Sequence, residues 1–307
     1  MQRCLPHFFD SHGGLMPMAV ELCDILQLPR FFTAEVLSEN FQKSFLRPPY
    51  TERDQCAFPQ AAQSMSRDAF HDWCCRWGYF DEIRPRKGIE NYDVIVIYAL
   101  GVEGMYNMMK YLQGLLSPFE EREKGASPNI PKIFLLTGSR PLTMKGEDAM
   151  AQWLRERNLP DTEEWAVRVL FRNFLEPLGV LCEIVNVPMC HGYDAEGELR
   201  WKRPNTRDTL RAFFKRSNRV WTSLLAISVN PFVSYQHAVG TAVWLEQEGC
   251  DKFASKTLET VGPLHSRFYS SQWSQNEELL IAILLDNVAR CAYEEFGILK
   301  TKGCVSC

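Results

Sequence analysis

The sequence lacks a strong excess of either charge. Its 34 Lys and Arg face 38 Asp and Glu, a formal net charge of −4, so the composition holds no basic surface for nucleic acid. Long hydrophobic runs are missing too. Residues 94–100 and 279–285, the most apolar stretches, are about seven residues long against the roughly 20 that cross a bilayer, so no transmembrane segment is expected. Residues 1–10 carry Arg3 and His7 and no continuous apolar core of a secretory signal. Cysteine is plentiful, with 11 residues, but their scattered positions and odd number lack the framework of a disulfide scaffold. Free thiols and a cytoplasmic location are the expectation. The tail Cys304-Val305-Ser306-Cys307 has the outline of a prenylation box but departs from it at Ser306 and Cys307, and reads as a frayed end.

Several catalytic signatures are absent as well. No G-x-S-x-G elbow makes Ser139 or Ser228 an acyl-transfer nucleophile. His237 has no His four residues away, and Cys190-His191 stands alone, so no metal site is expected. Neither G-x-G-x-x-G nor a phosphate-binding P-loop occurs.

What is present is a folded composition, 46% apolar and 12% aromatic, with a clear alternation from about residue 91 onward. Runs rich in β-branched and aromatic residues at 92–100, 132–138, 178–188, 219–228 and 257–262 read as strands. Helical patterns at 105–116, 147–157, 162–175, 206–216 and 235–248 separate them, long enough for right-handed crossovers. The expected fold is therefore α/β, a mainly parallel sheet of at least five strands between helices. Residues 1–90, broken by repeated prolines, read as an N-terminal helical extension with helices near 19–26 and 67–77; the latter contains the adjacent Cys74 and Cys75, read as buried thiols. Residues 263–307 form the C-terminal addition, whose helix at 275–296 opens on Glu277 and Glu278 and is expected to pack on the sheet. Residues 120–129 read as the clearest surface loop.

Ligands of open α/β sheets bind beyond the carboxyl ends of the strands, so the strand exits carry the candidate site. The first exit is Gly101-Val102-Glu103-Gly104, where small residues let backbone amides approach a ligand at a helix start. The second is Gly138-Ser139-Arg140-Pro141; Arg140 either clamps an anion or pairs with Glu147 or Asp148. Thr162 reads as a helix cap, with Glu163 behind it. After the third strand, Arg203 precedes Asn205 and Thr206 at a helix start, with Asp208 in its positive first turn. The fourth exit, Ser228-Val229-Asn230-Pro231, leads to Tyr235-Gln236-His237.

Together, YDVIVIYALG, TGSRPL, RPNTRDTLRAF and LLAISVNPFVSYQHAVG resemble the ElyC/SanA/YdcF type, the YdcF-like domain-of-unknown-function family, over about residues 91–262. The resemblance implies a Rossmann-like three-layer fold and a pocket using Gly101, Gly138, Arg140, Glu163, Asn205, Thr206, Asp208, Ser228 and Gln236. It also implies a nucleotide-like ligand, with S-adenosylmethionine suggested for the family. The chain departs from the family at its first turn, where Gly101-Val102-Glu103-Gly104 replaces a Gly-Gly pair and a following Arg is absent.

Two function classes follow. In one, an enzyme of undefined reaction binds a small anionic or nucleotide-like ligand through Gly101, Gly138, Ser139, Arg140, Arg203, Asn205, Thr206, Ser228, Asn230 and Gln236, with Glu163 and Asp208 as acid/base groups. In the other, a binding or regulatory protein keeps the pocket without the chemistry. A tailoring enzyme of specialised metabolism is a third, lesser reading.

Overall fold

The computed structural model describes residues 5–29, 33–48, 55–117, 130–144, 146–193, 197–217, 219–265, 268 and 276–304. The loop expected at 120–129 lies outside these residues, as does the tail beyond Cys304. The chain forms two compact units: a sheet unit of Ile83–Val229 with Ser255–His265, and a helical unit of Met1–Glu82, Asn230–Ala254 and Ser266–Cys307. This differs from the expected linear division at about residues 90 and 262, because a helix lying between two strands groups with the N- and C-terminal segments.

In chain order the elements are α1 (Pro17–Ile25), α2 (Ala34–Phe45), α3 (Arg67–Arg76), β1 (Val94–Tyr98), α4 (Gly101–Leu116), β2 (Lys132–Gly138), α5 (Asp148–Arg155), α6 (Glu163–Phe174) and β3 (Cys182–Val187). A hairpin of β4 (Cys190–Tyr193) and β5 (Leu199–Lys202) follows, then α7 (Thr206–Ser217), β6 (Ser223–Ile227), α8 (Val233–Glu248), α9 (Cys250–Phe253), β7 (Thr257–Val261) and α10 (Glu277–Thr301).

The sheet is all parallel, in the order β3-β2-β1-β6-β7. Every residue of β1 and β6 is buried, which explains their continuous apolar runs: a strand covered on both faces has no solvent side to alternate toward. Right-handed crossovers place α4 and α6 on one face and α7 on the other. The α4 face made by Met105, Met108, Met109, Leu112 and Leu116 is buried. On the α7 face, Phe134 of β2 meets Phe213 edge-on, with ring centroids 4.9 Å apart. Asp93 ties the entries of β1 and β6 together, accepting hydrogen bonds from the Thr222 amide (2.7 Å), the Thr222 hydroxyl (2.6 Å) and the Ser223 amide (2.9 Å). The result is the parallel α/β fold that the strand pattern predicts, Rossmann-like as the resemblance implies.

In the helical unit, α10 packs against α8 and α2, and residues 280–289 are buried on all sides of the helix. Several of its buried polar groups have partners, while Asn287 Oδ1 has none among the described residues. Asp286 accepts from the Arg47 amide and pairs with Arg290, Asn287 donates to the Pro231 carbonyl, and Glu295 accepts from the Phe8 amide at 2.8 Å. Arg67 of α3 forks onto Glu277 and Glu278 at 2.9 and 2.7 Å, joining the acidic first turn that the sequence shows. The helix α2 was not expected, although Thr33 caps it and Leu37, Phe41 and Phe45 recur every four residues on its buried face. Of the adjacent cysteines expected to be buried, Cys74 is buried but Cys75 is exposed, since neighbours on a helix point in different directions. The described cysteines are free. Among the described residues no helix is long and apolar enough to cross a membrane.

His7 fastens the N-terminal segment to α10, its Nδ1 lying 3.2 Å from Glu295 Oε1. The hydrogen bond to Glu295 raises the His7 pKa against the lowering effect of burial. Such a raised group stabilises the fold fully below its unfolded pKa, about 6.5, and loses that contribution as pH climbs through its folded value. Half of the His7 side chain is exposed, so screening keeps the effect below about 1 kcal/mol. Urea midpoints measured at about pH 6 and about pH 8 should fall more for the wild type than for His7→Gln; equal slopes would remove His7 as the source.

Candidate functional site

The exits of β1 and β2 are tied by one buried ion cluster. Arg140, directly after β2, is 4% exposed. Its guanidinium grips Glu147 bidentately, Nη1 to Oε2 at 2.9 Å and Nη2 to Oε1 at 2.6 Å, and donates from Nε to Glu163 Oε1 at 2.9 Å. Nη1 also donates to the Pro141 carbonyl at 3.1 Å. Of the two roles open to Arg140 in the sequence, the structure shows the pairing with Glu147, with Glu163 as an additional partner.

Glu147 does more than neutralise Arg140. Its carboxylate accepts from the Met144 amide at 3.0 Å and from the Val102 amide in the first turn of α4. Burial would push the Glu147 carboxyl up, but the hydrogen bonds and charge of Arg140, together with these amides, outweigh it and hold the pKa below the ordinary value. The start of α4 is where a Rossmann-like fold offers amides and a helix dipole to a ligand anion. Here a carboxylate of the chain takes that position. Gly101, with φ +72°, makes the close approach feasible: a Cβ there would lie 2.7 Å from Met144 Cε and 3.4 Å from Glu147 Oε1.

Glu163 closes the other side of the cluster. Its amide donates to the Arg140 carbonyl at 2.9 Å, and Leu142 donates to the Asp161 carbonyl at 2.9 Å, so the β2 exit zips onto the segment entering α6. Thr162 occupies the cap position of α6 but makes no side-chain cap bond, contrary to the expected role. Gly138 is needed for another contact, since a Cβ on it would meet Pro204 Cγ at 2.5 Å.

Ser139 lies in a separate, half-buried group at the ends of β2 and β3. Asn186 Nδ2 donates to Ser139 Oγ and to Glu164 Oε2, each at 2.6 Å, while Arg168 holds Glu164 Oε1 from one turn on. Neither Asn186 nor Glu164 was singled out in the sequence; a polar residue ending an otherwise apolar strand was the available signal. Asn205 and Asp208 form a reciprocal cap on α7, Asn205 Oδ1 accepting from the Asp208 amide and Asp208 Oδ2 from the Asn205 amide, both at 3.0 Å. Thr206 begins α7, and its carbonyl accepts from the Thr209 hydroxyl at 3.0 Å. Arg203 lies just ahead, half-buried.

Ser228 is fully buried beyond β6, its amide bonded to the Val261 carbonyl at 2.8 Å. Asn230 and Gln236 belong to the helical unit. There Asn230 Nδ2 donates to the carbonyls of Gly78 and Asp81 at 2.8 and 2.7 Å, which fixes the turn after α3. Gln236 is buried in α8.

Within the sheet unit, β1 and β6 are adjacent central strands whose crossovers leave in opposite directions, the topological switch point of the sheet. Gly104 in the first turn of α4 stands beside it: a Cβ there would lie 3.2 Å from Leu100 Cβ, 3.7 Å from Val229 Cγ1 and 3.8 Å from His265 Cδ2. The side chains of Leu100, Val229 and His265 therefore pack around this glycine. Among the described residues no three His, Cys, Asp or Glu side chains come together in a metal-binding group. No family model, no curated protein and no solved structure matches this chain.

Proposed function

We propose that the chain is a YdcF-like binding protein that receives a small nucleotide-like ligand at the β1/β6 switch point and has a regulatory or carrier role in preference to a catalytic one. The observation that carries this reading is the engagement of the acid/base candidates in the scaffold: Glu163 is tied to Arg140, and Asp208 closes the α7 cap. A general acid or base needs a proton within reach of substrate, and these carboxylates are committed to holding turns in place. The binding part of the reading is supported by strand order, since open α/β sheets receive ligands beyond the carboxyl ends of the strands at such a switch point. Glu147 at the start of α4 opposes a phosphate there, so a nucleoside-like molecule such as S-adenosylmethionine fits this edge better than a nucleoside triphosphate.

Thermal-shift and calorimetric titrations with S-adenosylmethionine, adenosine and ATP test the proposal. Saturable stabilisation by one of the first two is expected, exceeding that by ATP and lost in Gly104→Val, whose branched side chain would crowd Leu100, Val229 and His265 beside the switch point. Absence of binding by all three would sink the ligand assignment. Steady turnover of a bound ligand that disappears in Glu163→Gln would instead support the enzyme reading.

A further inference from the structure

We propose that the sheet unit carries another binding site, an arginine-lined groove on the free edge of β3 that takes a small, multiply charged anion bearing phosphate or carboxylate groups. Among the described residues, the strand β3 lies outermost in the sheet and pairs only with β2. Val187 turns its carbonyl to β2, accepting from the Ser139 amide at 3.0 Å, so alternation turns the backbone of Cys182 and Ile184 outward. Along this edge runs a groove of about 370 Å³, bounded by α6 and α7 and lined by Arg168, Arg172, Glu176, Cys182, Glu183 and Arg216 among others. That volume falls at the lower end of small-ligand sites, about 300–1,000 Å³.

The commitments of these side chains decide the ligand's charge. Glu183 is held by Lys132 at 2.8 Å and by Arg216 at 2.6 Å, and Lys132 is the chief reason its pKa lies below the ordinary value. Arg216 also donates to the outward carbonyl of Ile184 at 3.1 Å, which caps the edge against another strand. Arg168 is engaged with Glu164. Arg172 makes no hydrogen bond or ion pair with any described residue, so its planar fork is available to a ligand. The guanidiniums outnumber the carboxylates lining the groove. Burial pushes the Cys182 thiol up to about 11, so it stays neutral and does not repel an anion.

Calorimetric titration of the full chain with inorganic pyrophosphate and, separately, with citrate tests this site. Saturable, salt-sensitive binding of at least one is expected, weakened about tenfold by Arg172→Ala and abolished by Arg172→Glu. Pyrophosphate binding alone would assign a phosphate ligand, and citrate binding alone a carboxylate. Both variants should melt like the wild type, because Arg172 is exposed and contributes no bond to the fold among the described residues. Gly104→Val should leave this binding unchanged, which keeps the groove distinct from the switch-point site. Binding that survives Arg172→Glu, or binding of neither anion by the wild type, would overturn the proposal.

Discussion

Arg140→Ala should destabilise the sheet unit by about 3–5 kcal/mol, the cost of removing one partner from a buried charge cluster. The magnitude follows from what stays behind. Glu147 and Glu163 are 3% and 7% exposed, and both lean on the same guanidinium. Without it, two carboxylates face each other across the β2 exit with little water to screen them. The pH profile gives an independent sign. In the wild type the Glu147 pKa lies below its unfolded value, so the pair's contribution is present above about 4.5 and is lost as pH falls through the folded value. In Arg140→Ala the balance reverses: burial now dominates, the carboxyl is raised, and mild acid should stabilise the variant where it weakens the wild type. Adding Glu147→Gln to Arg140→Ala should restore part of the loss, because an amide is less costly to bury than an unpaired carboxylate. Denaturant unfolding of the variants across pH would check this. A loss below about 1 kcal/mol would mean that the cluster is hydrated and not the structural tie described above.

Gly262→Ala should cost at least about 3 kcal/mol, at the upper end of ordinary overpacking. A Cβ at Gly262 would stand 2.0 Å from the Ser228 carbonyl oxygen and 2.6 Å from its carbon. The obstruction is backbone, so no rotamer change relieves it. Nor can the strand ends readily move apart. Gly262 exchanges two hydrogen bonds of 2.9 Å with Ile83, while Ser228 donates to the Val261 carbonyl at 2.8 Å. Gly297 supplies a control of opposite sign: nothing lies within 4 Å of a Cβ there, and it sits within α10. Gly297→Ala should therefore raise stability by about 0.5–1 kcal/mol through helix propensity and a smaller unfolded-state entropy. Equal midpoints for the two variants in chemical denaturation would refute the steric account.

The strands were legible because β1, β2 and β6 are buried on both faces and announce themselves as unbroken apolar runs; residues 132–138 were read to their final boundaries. The hairpin of β4 and β5 was not seen. Its sequences, CHGY and LRWK, carry no continuous apolar run, and Leu199 and Trp201 are largely exposed, so pairing across the hairpin, with His191 against the Trp201 ring at 3.8 Å, defines it. The Asn205/Asp208 cap was readable because both members lie within one turn of sequence. The sequence leaves Arg140 two roles, pairing with Glu147 or Asp148 being one; its second partner, Glu163, lies 23 residues away, and only folding brings both carboxylates to one guanidinium.

The same distinction applies to the chain as a whole. Local pattern determined the parallel α/β class, the strand exits and the α7 cap, since burial periodicity and turn chemistry act over a few residues. Tertiary structure decided that α8, placed in sequence like any crossover helix, joins α2 and α10 in a helical unit. It also decided that a carboxylate of the chain stands at the start of α4, and that three arginines from two helices line one edge of the sheet. Those outcomes depend on which distant surfaces meet, and the residues alone carry no record of the distances between them.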